Sequence, residues 1–284
     1  MFNIQERMVK SIVLFYNSRK PEATDYAAEL ERRLDGLAAI QKMCVFSGRE
    51  QIRPADAAIA VGGDGTVLYA ARRSVAAGLP VLGINAGTLG FLSGIGQDEF
   101  IRSMPDFLAG KFLCSERMML SATVIRRGKT VFGPYPALND CSIRGSYTRA
   151  FGLKAMRGSC LLTKYFGDGL IIATPSGSTA YSLAASGPIV APEQDLFILA
   201  PICPHALTQR PLILPSETPF SVELLGTNDG SQKYTVSLDG QSHFPLHKGD
   251  IVQISRQPQK LKLLVPPSYD YFATLRAKLR WGER

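Results

Sequence analysis

An apolar run, Ala57–Val61, opens directly into Gly62-Gly63-Asp64-Gly65-Thr66. Glycines at such a turn let the backbone bend sharply and set its N–H groups against a ligand, because no Cβ stands in the way. A helix that follows presents free N–H donors and a partial positive charge to an anion. A carboxylate beside a phosphate-binding turn is electrostatically unfavourable unless it has work to do. Asp64 could hold a divalent cation or accept a proton from an attacking hydroxyl. The plainer reading is a tight strand–helix turn with Asp64 as the helix cap. Neither GxxxxGK[ST] nor GxGxxG is present, so the loop is neither a Walker A nor a dinucleotide fingerprint.

A second cluster follows the next apolar run: Gly83-Ile84-Asn85-Ala86-Gly87-Thr88-Leu89-Gly90-Phe91-Leu92. Asn85 could bond a ligand hydroxyl or only close an Asx turn, and the two readings weigh equally here. In the third cluster, Gly167-Asp168-Gly169 leads through Leu170–Ala173 into Thr174-Pro175-Ser176-Gly177-Ser178-Thr179-Ala180-Tyr181-Ser182. A buried strand running into a hydroxyl-rich loop suits helix capping or a nucleotide's polar groups. Serine hydrolase chemistry is poorly supported, since no GxSxG occurs. The five cysteines form no CxxC pair, and the histidines form no complete metal cluster, so free buried thiols and no metal ligands are expected.

The elements that carry these loops fall into two regions. Apolar runs at Ser11–Tyr16, Met43–Phe46, Ala57–Val61 and Pro80–Ile84 alternate with helical spacing at Pro21–Leu37, Val67–Ala77 and Asp98–Leu108. Continuous apolar strands between helices predict a parallel sheet covered on both faces. After Gly110 short strand-like segments dominate, with only Thr179–Ser186 helix-like, until the helical stretch Tyr271–Trp281. The fold expected from these patterns is a parallel α/β domain up to Gly110, an all-β second domain over 111–266 and a last helix.

The 284 residues carry 32 basic and 24 acidic side chains, a net charge of +8 that favours anionic partners. Five cations and no acid lie between Cys141 and Gly167, either as solvated strand faces or as a wall around a phosphate-rich ligand. No recognised nucleic-acid module is present, and aromatics are not interleaved with the basic runs as stacking would need. No apolar run approaches the roughly 20 residues of a membrane span. The expectation is a soluble, cytoplasmic protein with no nucleic-acid or membrane partner.

The set VGGDGT, GINAGTLGFL, ALND, DGLIIATPSGSTAYS, PICPHALTQRPLILP, SLDGQ and YDYFATLRAKLRW, in that order, resembles the bacterial NAD kinases. GGDG-type loops also occur in diacylglycerol, sphingosine and 6-phosphofructokinases; the later motifs single out NAD kinase. The resemblance implies transfer of the ATP γ-phosphoryl group to the adenosine-ribose 2′-hydroxyl of NAD, with Mg²⁺ or another divalent cation. It also implies a Rossmann-like domain over 1–110, to which 267–284 return, and a β-sandwich over 111–266, with the site between them, in a homodimer or homotetramer. Asp64 matches the family's catalytic aspartate, the proposed proton acceptor from the 2′-hydroxyl, and Gly65 approaches the ligand; Gly63 and Asn85, on the glycine loops, are taken as further ligand contacts. Asn139 and Asp140 match an Asn-Glu pair that binds the adenosine part of NAD. Asp168 matches an aspartate near the nicotinamide end. Thr179, Ala180, Tyr181, Ser182, Leu183 and Ala184 match the segment lining the NAD pocket, and Gln241 a further contact.

Three departures stand out. Asp140 is one methylene shorter than the family's usual Glu, and Ser176 replaces a usual Thr. Phe166 stands where many members have an Arg linked to the preference between NAD and NADH, which leaves the acceptor form open. The alternatives are a related kinase acting on a lipid or small molecule, and a non-catalytic dinucleotide-binding protein.

Overall fold

The computed structural model describes residues 2–3, 8–45, 51–87, 90–146, 149–227, 233–280 and 282. The chain divides into two compact units, Met1–Glu116 with Leu261–Arg284, and Arg117–Lys260. The first begins with strands β1 (Phe2–Asn3) and β2 (Ser11–Tyr16), helix α1 (Pro21–Leu34) and strands β3 (Ala39–Cys44) and β4 (Ala57–Gly62). Helix α2 (Asp64–Ser74), strands β5 (Val81–Asn85) and β6 (Ile95–Gly96), helix α3 (Gln97–Leu108) and strand β7 (Leu113–Arg117) follow.

The second unit holds β8 (Leu120–Arg126), β9 (Lys129–Ala137), β10 (Asp140–Gly145), β11 (Phe151–Arg157), β12 (Cys160–Gly167) and β13 (Gly169–Ala173). A 3₁₀ turn at Ser176–Thr179 and the one-turn helix α4 (Tyr181–Ala184) come next. Strands β14 (Leu196–Ile202), β15 (Leu212–Pro215), β16 (Phe220–Gly226), β17 (Tyr234–Leu238), β18 (Ser242–Leu246) and β19 (Ile251–Arg256) complete it. The chain then returns to the first unit with β20 (Leu261–Val265) and helix α5 (Tyr271–Leu279).

The first sheet runs β1-β7-β20-β5-β4-β2-β3, with β6 beside β5. Pairing is parallel from β3 through β2, β4 and β5 to β20, and antiparallel between β1 and β7. Every residue of β4 and β5 is buried, which requires cover on both faces. Ile12, Leu14, Ile59, Val61, Leu82 and Ile84 pack with Leu30 of α1 and with Phe100 and Phe107 of α3. The alternate residues face α2, where Phe15 meets Tyr69 edge-on at 6.0 Å. Gly83 leaves room there for Val67, whose Cγ2 lies 2.8 Å from where a Cβ would stand. Helix α1 starts at Pro21, where the missing N–H costs nothing, and buries Ala23, Tyr26, Ala27, Leu30 and Leu34 along one stripe.

The second unit is two six-stranded antiparallel sheets, β15-β14-β13-β10-β17-β18 and β12-β11-β16-β19-β8-β9. Their facing sides share one core in which Ile143, Leu170, Ile172 and Leu199 meet Leu120, Val124, Leu153, Val222 and Val252. Strand β13 is buried on both sides, because its other face, Ile171 and Ala173, lies under Tyr181, Ala185 and Val190. The segment after β13 is thus held against the sheet by apolar cover, at about 1.5–3 kcal/mol for each fully buried large side chain.

The α/β unit followed by an all-β sandwich agrees with the sequence reading, and several boundaries differ. β7 and β20 join the first sheet, because short apolar strands look alike in sequence and only pairing separates them. Helix α2 starts at Asp64 rather than Val67, and α1 stops at Leu34. The second strand spans Ala39–Cys44 rather than Met43–Phe46, and Phe46 lies outside the described residues. The expected helix at Thr179–Ser186 is a 3₁₀ turn followed by four α-helical residues. The last helix ends at Leu279, and Trp281, like Thr88 and Leu89 of the second glycine cluster, lies outside the described residues.

Candidate active site

The turn between β4 and α2 is shaped by its glycines. Gly62 adopts φ +153°, and a Cβ there would collide with the Thr66 hydroxyl. Gly63, in extended geometry, is the N-cap of α2, so Asp64 is the first helical residue and does not cap its own helix. Its carboxylate instead reaches the loop after β5. Oδ2 accepts the Phe91 N–H at 2.9 Å. Oδ1 accepts the N–H groups of Leu92 and Ser93 at 3.1 and 3.2 Å and the Ser93 hydroxyl at 3.3 Å. Gly90 has no room for a Cβ, which would strike the Asp64 carboxylate and lie 2.5 Å from Ser93 Oγ. The half-buried carboxylate at the C-terminal end of a parallel strand is thereby fixed by four donors, with Oδ1 saturated and acceptor capacity left on Oδ2.

Gly63 is half-buried and Gly65 exposed beside Asp64. Asn85, at the end of β5, turns back on its own loop: Oδ1 accepts the Gly87 N–H at 2.9 Å and Nδ2 donates to the Gly87 carbonyl at 3.0 Å. This is the Asx turn of the two sequence readings. Asn85, Ala86 and Gly87 also line a cavity of about 520 Å³ with Glu22 and the first turns of α3.

A cavity of about 620 Å³ in the second unit lies over β10 and β17 and is lined by Asn139, Asp140, Arg144, Tyr181, Asp239 and His243 among others. Asp239, in the turn after β17, organises its floor. Its Oδ2 accepts the Leu138 N–H at 2.9 Å, and its Oδ1 accepts the N–H groups of Asn139 and Asp140 at 2.7 and 3.1 Å. Beside it Asp140 is 6% exposed. Burial, and then the charge of Asp239, push its carboxyl up to about 7. The same burial and the two carboxylates raise the Cys141 thiol, leaving it an inert core group. The Arg144 guanidinium stands 5.6 Å from the centre of the Tyr181 ring, which fixes a cation at the cavity wall. Asn139 Oδ1, Ser176 Oγ and Ser182 Oγ are buried without a hydrogen-bond partner.

Of the expected pocket segment, Ala180 and Tyr181 line this cavity. Thr179 and Leu183 are half-buried, Ser182 is buried and Ala184 is exposed, and none of these four is in the cavity lining. Gln241 lies in the same turn as Asp239 and bonds the Leu238 carbonyl through its N–H at 3.0 Å. Asp168 is exposed in the β12–β13 turn, its N–H bonded to the Ile202 carbonyl. Phe166 is half-exposed and meets His205 edge-on at 5.1 Å, outside the cavity lining.

Residues 46–112 match the family model of the ATP-NAD kinase N-terminal domain, and residues 141–265 that of the ATP-NAD kinase C-terminal domain. A NAD kinase of Geobacter metallireducens is 42% identical over 97% of this chain and 100% of that protein. One from Geobacter sulfurreducens is 38% identical over the same shares. The chain belongs to the NAD kinase family. The fold agrees: yeast NADH kinase complexed with NADH superposes with a TM-score of 0.85 at 22% identity, covering 99% of this chain and 90% of that one. A NAD kinase from Archaeoglobus fulgidus in complex with ATP gives 0.72 at 22% identity, covering 95% and 98%.

Within the NAD kinase fold, sequence reasoning did not single out Ser93, Asp239 or His243 as site residues. Asp239 lay inside the quoted SLDGQ motif, where an Asp-Gly pair closing a strand was the available signal, and in the structure it adopts φ +51°. Of the basic run, Arg144 reaches the cavity. Lys154, on the other sheet, sits 3.4 Å from Glu223 in a half-exposed ion pair. Among the described residues, no three of His, Cys, Asp and Glu gather to hold a metal ion. No described helix is long and apolar enough to cross a membrane.

Proposed function

We propose that this chain is an ATP-dependent NAD kinase: the adenosine-ribose 2′-oxygen of NAD attacks the γ-phosphorus of ATP, ADP leaves, and NADP forms. The observation that carries the reading is the Asp64 carboxylate, held at the end of a parallel strand with Oδ1 saturated and Oδ2 able to accept. Asp64 takes the hydroxyl proton as the new P–O bond forms. Phosphoryl transfer is otherwise positioning and charge neutralisation, which the glycine turn and the N-terminus of α2 supply. A Mg²⁺ ion travelling with ATP would be held mainly by phosphate oxygens. When bound, it neutralises charge on the β- and γ-phosphates.

The first unit is the ATP-binding kinase unit and the second the NAD-binding unit. The cavity over β10 takes the adenosine part of NAD, with Asn139 and Asp140 as polar contacts, Tyr181 as a packing wall and Arg144 as the cation nearest a phosphate. Gly63, Gly65 and Asn85 are ligand contacts of the first unit, Asp168 serves the nicotinamide end, Phe166 bears on the choice between NAD and NADH, and Gln241 is a further NAD contact. The relatives of known name support this assignment, and no observation favours a lipid kinase or a non-catalytic binder. The enzyme works in the cytoplasm as a homodimer or homotetramer.

A coupled assay tests the activity. Purified protein with Mg²⁺ and ATP receives NAD or NADH separately, and an NADP-specific dehydrogenase reports product. Formation of NADP from NAD is expected. Product from NADH alone would make Phe166→Arg the variant to compare, and no product from either in folded protein would overturn the reading.

A further inference from the structure

We propose that Ser93 is a positioning residue for phosphoryl transfer, its hydroxyl locking the Asp64 carboxylate so that Oδ1 faces inward and Oδ2 is presented to the acceptor hydroxyl. The inference rests on the reading of Asp64 as proton acceptor. Ser93 is fully buried, and a buried hydroxyl costs free energy unless it is bonded. Its Oγ accepts the Gly90 N–H at 3.1 Å and donates to Asp64 Oδ1 at 3.3 Å. With one lone pair engaged by Gly90, the hydroxyl gives its single proton to the carboxylate. The Ser93 N–H converges on the same oxygen.

The loop that carries Ser93 cannot drift away from Asp64. β5 passes so close that a Cβ on Gly83 would stand 2.9 Å from the Leu92 carbonyl oxygen and from Ser93 Cα. On the other side a Cβ on Gly90 would collide with the carboxylate itself. Two glycines therefore bring the backbone of residues 90–93 against both the strand and the carboxylate. Oδ1 receives three donors and Oδ2 one. Tilting the carboxylate plane out of this position would break the Ser93 hydrogen bond, so the hydroxyl makes that tilt costly. Its contribution is preorganisation: the accepting oxygen points the right way before substrate arrives.

The test uses the full chain with Ser93→Ala and Ser93→Thr, each alone and with Asp64→Asn, in steady-state NAD kinase assays beside thermal unfolding. Ser93→Ala should lower kcat about 10- to 100-fold, the loss of one hydrogen bond to a charged group, with the NAD KM within about threefold. Ser93→Thr, which keeps the hydroxyl, should restore most of kcat. In the Asp64→Asn background Ser93→Ala should cost nothing further, because the group it positions has lost its role. Should the alanine variant unfold, Ser93→Cys keeps the bulk with a far weaker donor and must show the same low kcat. Wild-type kcat in Ser93→Ala or Ser93→Cys, with Asp64→Asn still impaired, would overturn the positioning role. Wild-type kcat in Asp64→Asn itself would instead overturn the reading of Asp64.

Discussion

Asp239 Oδ1 accepts the backbone N–H of Asp140 at 3.1 Å, so two carboxyl groups close one wall of the same cavity. Asp239 is anchored on three N–H donors. Asp140 is desolvated beside it and is held up to about 7. The pair has a consequence for stability. Below about pH 4 the Asp140 carboxyl is protonated in both folded and unfolded chains and costs nothing. As pH rises from there toward 7, the unfolded chain ionises while the folded chain keeps its proton, and stability falls. Above 7 the folded group ionises too and the full penalty, a few kcal/mol, is in place. Asp140→Asn removes this penalty. Its melting temperature relative to wild type should climb between pH 5 and pH 8, and a difference that stays flat with pH would refute the assignment.

Gly90→Ala separates activity from stability. The added Cβ runs into the end of the Asp64 side chain, which can swing away. We expect a loss of about 1–3 kcal/mol in unfolding free energy, in the range of overpacked sites. Turnover should fall by far more than stability, because the group that gives way is the proposed proton acceptor. Denaturant melts and kcat on the same preparation check both numbers.

Asp64→Asn should cut kcat by about 10²–10⁴. The amide keeps one oxygen for the loop donors, so the NAD affinity, measured by calorimetry, should remain within a few-fold of wild type. Weakened NAD binding with unaltered kcat would instead mark Asp64 as a binding residue.

The cations of the basic run should behave differently from one another. Arg144 stands over the Tyr181 ring at the cavity wall, and Arg144→Ala should raise the NAD KM about tenfold or more, the loss expected for a hydrogen bond to a charged group. Lys154 is engaged with Glu223 on the other sheet, and such half-exposed pairs are worth about 0–1 kcal/mol. Lys154→Ala should leave both KM and kcat within about twofold. Steady-state kinetics of the two variants side by side decides the matter.

Sequence alone determined the features governed by local rules. The apolar run into GGDGT required a strand, a sharp turn and a helix, because glycine geometry and apolar periodicity are set by residues a few positions apart. The change after Gly110 from helical spacing to short strands, and the family motifs, were legible for the same reason. Tertiary structure decided what depends on distant partners. Asp64 could be a cap or a poised carboxylate until the loop 27 to 29 residues later supplied its four donors. Asp239 meets the backbone of residues 138–140 across about a hundred positions of chain. β20 enters the first sheet beside β5, though its composition matches the sandwich strands just before it. Hydrogen-bond partners and strand neighbours are chosen by the packing of the whole unit, and no local window of residues carries that information.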